Sequence, residues 1–181
     1  QHQFRMALNY HTYGNLLVYP WGYTDSNTPD SMQYHQYTKA MTNYNRFVYG
    51  TGTETVGYTT NGDSDDWMHG ETGTKNKIIS ITPEVGESSY GFWPPQAAIL
   101  PYCNLNMHTN MNFMRCALSY ADCDDIGSRF ITPASARVKY TVFNKGMQNN
   151  AIFTVSIIPI SGNITAAAPK VYNNPAFMTT L

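Results

Sequence analysis

Apolar positions fall in short blocks along the first two thirds of this chain, and their spacing changes character after residue 122. Met6-Ala7-Leu8-Asn9-Tyr10 is a short apolar run ending at His11, and it predicts a buried strand. Leu16-Leu17-Val18-Tyr19 predicts a second, closed by Pro20-Trp21-Gly22-Tyr23. Pro29-Asp30-Ser31 carries the loop and cap chemistry that opens a helix. Beyond it Tyr37, Met41, Tyr44 and Val48 recur at three- and four-residue spacing, the apolar face of an amphipathic helix, with Gly50 at the expected stop. Thr55 to Tyr58 predicts a weak strand, and Asn61-Gly62-Asp63 a turn. Lys77-Ile78-Ile79-Ser80-Ile81-Thr82 is the clearest buried strand, stopping at Pro83-Glu84. After Pro94-Pro95, the residues Leu100, Cys103, Met107, Met111, Met114 and Leu118 form the apolar stripe of a long helix, with Pro101 near its first turn.

Past Asp122-Cys123-Asp124-Asp125 the period becomes two. Val138, Tyr140 and Val142, then Ile152, Thr154 and Ser156, alternate around a turn at Asn144-Lys145-Gly146, which predicts two antiparallel strands of a sandwich. Two strands do not stand alone, so this module reads as cut short. The expected organisation is an α/β domain over residues 1–122, built on a mainly parallel sheet, followed by the start of a β-sandwich accessory domain over 123–181.

Composition narrows the function classes. The formal net charge is −1 and no Lys/Arg cluster exceeds two neighbours, so the basic footprint of a nucleic-acid binder is missing. No apolar run approaches ~18 residues, and no membrane span is expected. Charged residues make up 13% beside 14 tyrosines, which points to a secreted or periplasmic protein. Cys103, Cys116 and Cys123 fit no zinc-ribbon spacing; either Cys116 and Cys123 bridge across a short loop with Cys103 buried, or all three are free thiols. Asn163-Ile164-Thr165 has the pattern of a glycosylation sequon.

The candidate chemistry sits at strand ends. In mainly parallel sheets ligands collect at the carboxyl ends of strands, where His11 and Glu84 both fall. A neutral imidazole and a carboxylate converging there suit a metal ligand and a general base. The chain has neither His-x-x-Glu nor His-Glu-x-x-His. From these features alone the reading stops at an α/β domain of hydrolytic type.

Three motifs in order carry it further. Tyr10-His11-Thr12-Tyr13-Gly14, a few apolar residues and Tyr19-Pro20-Trp21-Gly22-Tyr23 come first. Gly57-Tyr58 follows, with Gly62 and Asp66-Trp67 after it. Ser80-Ile81-Thr82-Pro83-Glu84 then leads to Tyr90-Gly91-Phe92. This order resembles the zinc metallocarboxypeptidase (M14) family over residues 6 to about 118.

The resemblance implies a zinc site with His11 as one ligand and Glu84 as the base that activates water. It makes Tyr58 a mobile cap over the substrate, Tyr13 and Phe92 pocket walls, and Asp65 a pocket-floor residue selecting Lys or Arg. A second reading of Asp63-Ser64-Asp65-Asp66 is a solvated helix start. Arg46, on the predicted helix, matches no substrate-binding arginine of the family. The family's His-x-x-Glu ligand pair and carboxylate-binding arginines have no counterpart here. The resemblance therefore implies the C-terminal half of a catalytic domain, inert on its own, whose partners are peptide or protein C-termini and the missing N-terminal half. The alternatives are a non-catalytic relative and an amidase or deacylase on the same fold.

Overall fold

A computed structural model describes residues 3–148 and 150–180. The chain divides into two compact units, Gln1–Met114 and Arg115–Leu181.

The first unit is built on a four-stranded mixed sheet. Its strands are β1 (Met6–Leu8), β2 (Leu16–Val18), β3 (Val48–Gly50) and β4 (Ile79–Glu84), in the order β1-β4-β2-β3. β1 pairs with β4 in parallel and β2 with β3 in parallel, while β2 and β4 run antiparallel. β4 is therefore interior, and every residue from Ile79 to Pro83 is buried. β1 is an edge strand and only half-buried, not the buried strand its apolar run implies.

Helix α1 (Ser31–Met41) buries Tyr34, Tyr37, Thr38 and Met41. It is shorter than the expected helix because its last turn competes with itself. Thr42 Oγ1 bonds back to the Thr38 carbonyl, Asn45 Oδ1 accepts from the Phe47 amide, and Arg46 adopts φ 61° in the left-handed region. Tyr44 and Val48, assigned to the helix by spacing, are exposed; Val48 opens β3, and Arg46 lies in the turn between the two elements. The expected strand at Thr55–Tyr58 is also overturned. Thr51 and Glu54 form a reciprocal capping box that winds Gly52–Thr55 into a short helix, α2. Helix α3 (Ser64–Gly70) starts from an Asp63 side chain that accepts the Asp65 amide.

Helix α4 (Ile99–Cys116) reverses the expectation from its stripe. Leu100, Cys103, Met107, Met111 and Met114 are exposed, and so is Leu118 just beyond its end. The inward face carries Asn106, Thr109 and Phe113. Thr109 Oγ1 donates to the Met41 carbonyl and Asn112 Nδ2 to that of Ala40, so α4 satisfies carbonyls left open at the C-terminus of α1. Periodicity marks an apolar face, but here polar end-capping chooses which face turns in.

Among the described residues, the second unit holds three antiparallel pairs. β5 (Ala121–Asp125) pairs with β8 (Tyr140–Asn144), β6 (Arg129–Thr132) with β7 (Ser135–Arg137), and β9 (Ile152–Val155) with β10 (Lys170–Asn173). The expected β8–β9 hairpin does not form. Asn144 Nδ2 donates to the Pro175 and Ala176 carbonyls and its Oδ1 accepts from Gly146, which draws the end of β8 toward the C-terminal segment. All three cysteines are free thiols, so the Cys116–Cys123 bridge is not made. Cys116 is buried with its thiol pushed up to about 12 by burial, whereas Cys103 and Cys123 are exposed.

Candidate active site at the ends of two neighbouring strands

The β1–β4 register carries on past both strands. His11 bridges to Glu84 in parallel, its amide donating to the Pro83 carbonyl at 2.9 Å and its carbonyl accepting from Val85 at 2.9 Å. This backbone pairing sets the side chains side by side, with His11 Nδ1 4.0 Å from Glu84 Oε1. The imidazole is about half exposed, and Asn9 Nδ2 lies 3.1 Å from its Nε2. Asn9 is held in turn by the Ser64 hydroxyl at 2.8 Å.

Glu84 is the less satisfied partner. Its Oε2 is buried without a hydrogen bond among the described residues. Burial raises its pKa and the neighbouring His11 partly offsets the rise. A carboxylate with one orphaned oxygen beside an open imidazole is equipped to take and return a proton.

Side chains alternate along a strand, so Ser80, Thr82 and Glu84 share one face of β4. Asp65, at the start of α3, lies over the first two. The Ser80 hydroxyl donates to its Oδ1, and the Thr82 hydroxyl to its Oδ2 at 2.7 Å. Asp65 is 2% exposed, and no cation stands within ion-pair distance of it among the described residues. Burial pushes it up to about 6; the two hydroxyls pull it down, while Asp63 and Asp66 push it further up.

Tyr13 and Phe92 meet edge to face, with ring centroids 5.0 Å apart. Phe92 is largely exposed, as is Tyr58 in the bend between α2 and α3. His11 and Glu84 thus form one pair and Tyr13 and Phe92 another. Asp65 is tied to Ser80 and Thr82, on the Glu84 face of β4.

Reading residues one at a time missed the groups that hold this arrangement. Asp66 Oδ1 accepts from the Gly22 amide at 2.8 Å and its Oδ2 from the Tyr23 amide at 3.1 Å. One carboxylate therefore clamps the Pro-Trp-Gly-Tyr loop to the start of α3. Ser80 and Thr82 were read only as strand and motif positions, although hydroxyls at alternate positions of an apolar strand signal a polar face.

A catalytic zinc takes three protein ligands and keeps one position open. His11 suits one of the three, yet no group of three or more His, Cys, Asp or Glu side chains converges among the described residues. The residues present fit part of such a site and do not complete it.

The family model for zinc carboxypeptidases matches residues 1–109. Carboxypeptidase A1 of Bos taurus is 34% identical over 103 residues, which cover 54% of this chain and 24% of that protein. Carboxypeptidase B of Astacus astacus is 35% identical over 104 residues, covering 54% of this chain and 33% of its own. A zinc carboxypeptidase of Saccharothrix mutabilis subsp. capreolus is 30% identical over 127 residues, covering 67% and 27%. Bovine thrombin-activatable fibrinolysis inhibitor, solved with a tick carboxypeptidase inhibitor, aligns over 59% of this chain and 37% of its own at 27% identity and a TM-score of 0.47. The chain spans about a quarter to a third of the length of these curated relatives.

Proposed function

Because the chain belongs to the zinc carboxypeptidase family, we propose that it forms part of a zinc-dependent exopeptidase that hydrolyses the C-terminal peptide bond of peptides or proteins. The observation that carries this reading is the His11–Glu84 pair, an open imidazole beside a carboxylate with one buried, unpartnered oxygen.

In this reading His11 supplies one zinc ligand, and the others come from parts of the protein outside the described residues. Zinc, when bound, supplies an electrophile and makes water acidic enough to ionise near pH ~7. Glu84 takes a proton as the water oxygen bonds to the scissile carbonyl carbon. It returns that proton to the amine as the carbon–nitrogen bond breaks. Tyr58, exposed in its bend, covers the bound peptide, and the Tyr13–Phe92 pair walls the pocket. Asp65, buried without a cation, favours Lys or Arg as the residue released. Residues 1–122 then belong to the catalytic domain and 123–181 to an accessory β-domain. The 181 residues alone are inactive, because one ligand does not hold a catalytic zinc.

The test is hydrolysis of peptides ending in Lys, Arg or Phe by the protein extended to include a full ligand set, with and without Glu84→Gln. Glu84→Gln is expected to lower kcat by roughly 10²–10⁴-fold while zinc content stays the same. A variant as fast as the parent would remove Glu84 from the reaction. An extended protein that binds zinc yet releases no terminal residue would point to a non-catalytic relative or to an amidase on the same fold.

A further inference from the structure

We infer that Tyr34 and His69 are positioning residues for Asp65, acting through Ser80, and so take part in setting the selectivity proposed above. This rests on the reading of Asp65 as a pocket-floor residue.

The sheet runs out beside Ser80. On the β2 side of β4 the last pair is Val18↔Thr82, so β2 ends before it reaches Ser80. Ser80 is still paired with Ala7 of β1, but its amide has no β2 partner and is fully buried. A buried amide left unpaired is costly. Tyr34 takes its place: the Ser80 amide donates to Tyr34 Oη at 3.4 Å. A side chain from α1 stands in for the strand that ends too early.

The remaining protons follow in one direction. Tyr34 Oη lies 3.1 Å from His69 Nδ1. Among the described residues Nδ1 is the acceptor within reach of the buried tyrosine hydroxyl, so its proton goes to Nδ1. The neutral imidazole then carries its proton on Nε2, which lies 3.6 Å from Asp30 Oδ2. Asp30 also pairs with Lys77 Nζ at 2.5 Å. Ser80, Tyr34 and His69 are all buried, so this order has no solvent alternative. Burial, with Lys77 and Lys75, holds His69 below its usual range against the pull of Asp30, which favours the neutral imidazole. At the inner end Ser80 acts as a donor with two heads: its amide is held by Tyr34 and its hydroxyl donates to Asp65. The groups that bear on Asp65 are Asp63 and Asp66 from its own helix and cap, Ser80 and Thr82 from β4, and Tyr34 from α1. None is a cation. The charge on Asp65 therefore depends on how well two hydroxyls are aimed at it, and Tyr34 fixes the backbone that aims one of them.

The experiment follows the Asp65 carboxyl by carbon NMR during a pH titration of the full 181-residue chain, without substrate or zinc. Tyr34→Phe releases the Ser80 amide. Asp65 should then titrate about half a pH unit or more above its parent value of about 6. His69→Leu should raise it likewise. His69→Asn places an acceptor near the position of Nδ1 and should leave it within about 0.2 pH unit of the parent. A general loss of packing lowers the melting temperature of all three variants without separating Asn from Leu. An unmoved Asp65 in Tyr34→Phe and His69→Leu overturns the inference, as does equal movement in the two His69 variants. The His69 pair decides alone if Tyr34→Phe does not fold. Because no substrate is present, a failed titration result leaves the peptidase reading untouched. Failure of Lys/Arg selectivity in the extended protein likewise leaves the titration result standing.

Discussion

Asp65 shows how one side chain can weaken the fold that carries it. Its usual pKa of 3.8 is pushed to about 6 in the folded chain, mainly by burial. The folded state then binds this proton more tightly than the unfolded state. Stability therefore falls as pH rises through the window from about 4 to about 6, and the loss is complete above it. A rise of that size corresponds to roughly 3 kcal/mol. Asp65→Asn keeps the shape and removes the charge. It should stabilise the chain at pH 8 by up to roughly 3 kcal/mol and have almost no effect near pH 4, where both side chains are neutral. Urea unfolding of both proteins at the two pH values checks this. A variant no more stable than the parent at pH 8 would mean that the two hydroxyls already offset the burial of the charge.

Among the elements, α4 gives the sharpest contrast between pattern and outcome. Its methionines and Leu100 point outward while Phe113, Thr109 and Asn106 turn in. Phe113→Ala should therefore cost about 3–5 kcal/mol. Met111→Lys should change stability by no more than about 0.5 kcal/mol, and it should reduce self-association by breaking an exposed apolar stripe. Thermal unfolding and analytical ultracentrifugation separate the two effects, and a large destabilisation by Met111→Lys would restore the stripe to the core. The same contrast explains what could be read in advance. Strands at Leu16–Val18 and Ile79–Glu84 were visible because an apolar run inside a sheet has few other uses. The end of α1 was hidden in Thr and Asn side chains that bond their own backbone. The capping box of α2 was present in Thr51-Gly52-Thr53-Glu54, but the β-branched residues around it spoke for a strand.

For the whole molecule, the order of motifs was more informative than any one of them. His11 and Glu84 lie 73 positions apart, and only the parallel register of β1 on β4 makes them neighbours. Their place at the ends of two predicted strands foretold that meeting; the pairing of β8 with β5 and of β9 with β10 was invisible, because alternation says that a strand exists and not which partner it takes. With His11 the one ligand proposed and no group of three or more metal-binding side chains among the described residues, the isolated chain is expected to retain well under one zinc per molecule after dialysis against a weak chelator, as read by elemental analysis. One zinc per chain would mean that the ligand set is complete within it.

The carboxylate of Asp66 has a bearing on any attempt to re-engineer selectivity. Because it grips the amides of Gly22 and Tyr23, it ties the loop after β2 to the opening of α3. If Asp65 is the pocket floor proposed above, a chimera that imports residues 58–66 from a relative would bring a new floor onto a foreign cradle. Transplanting residues 20–23 along with them would keep the graft seated.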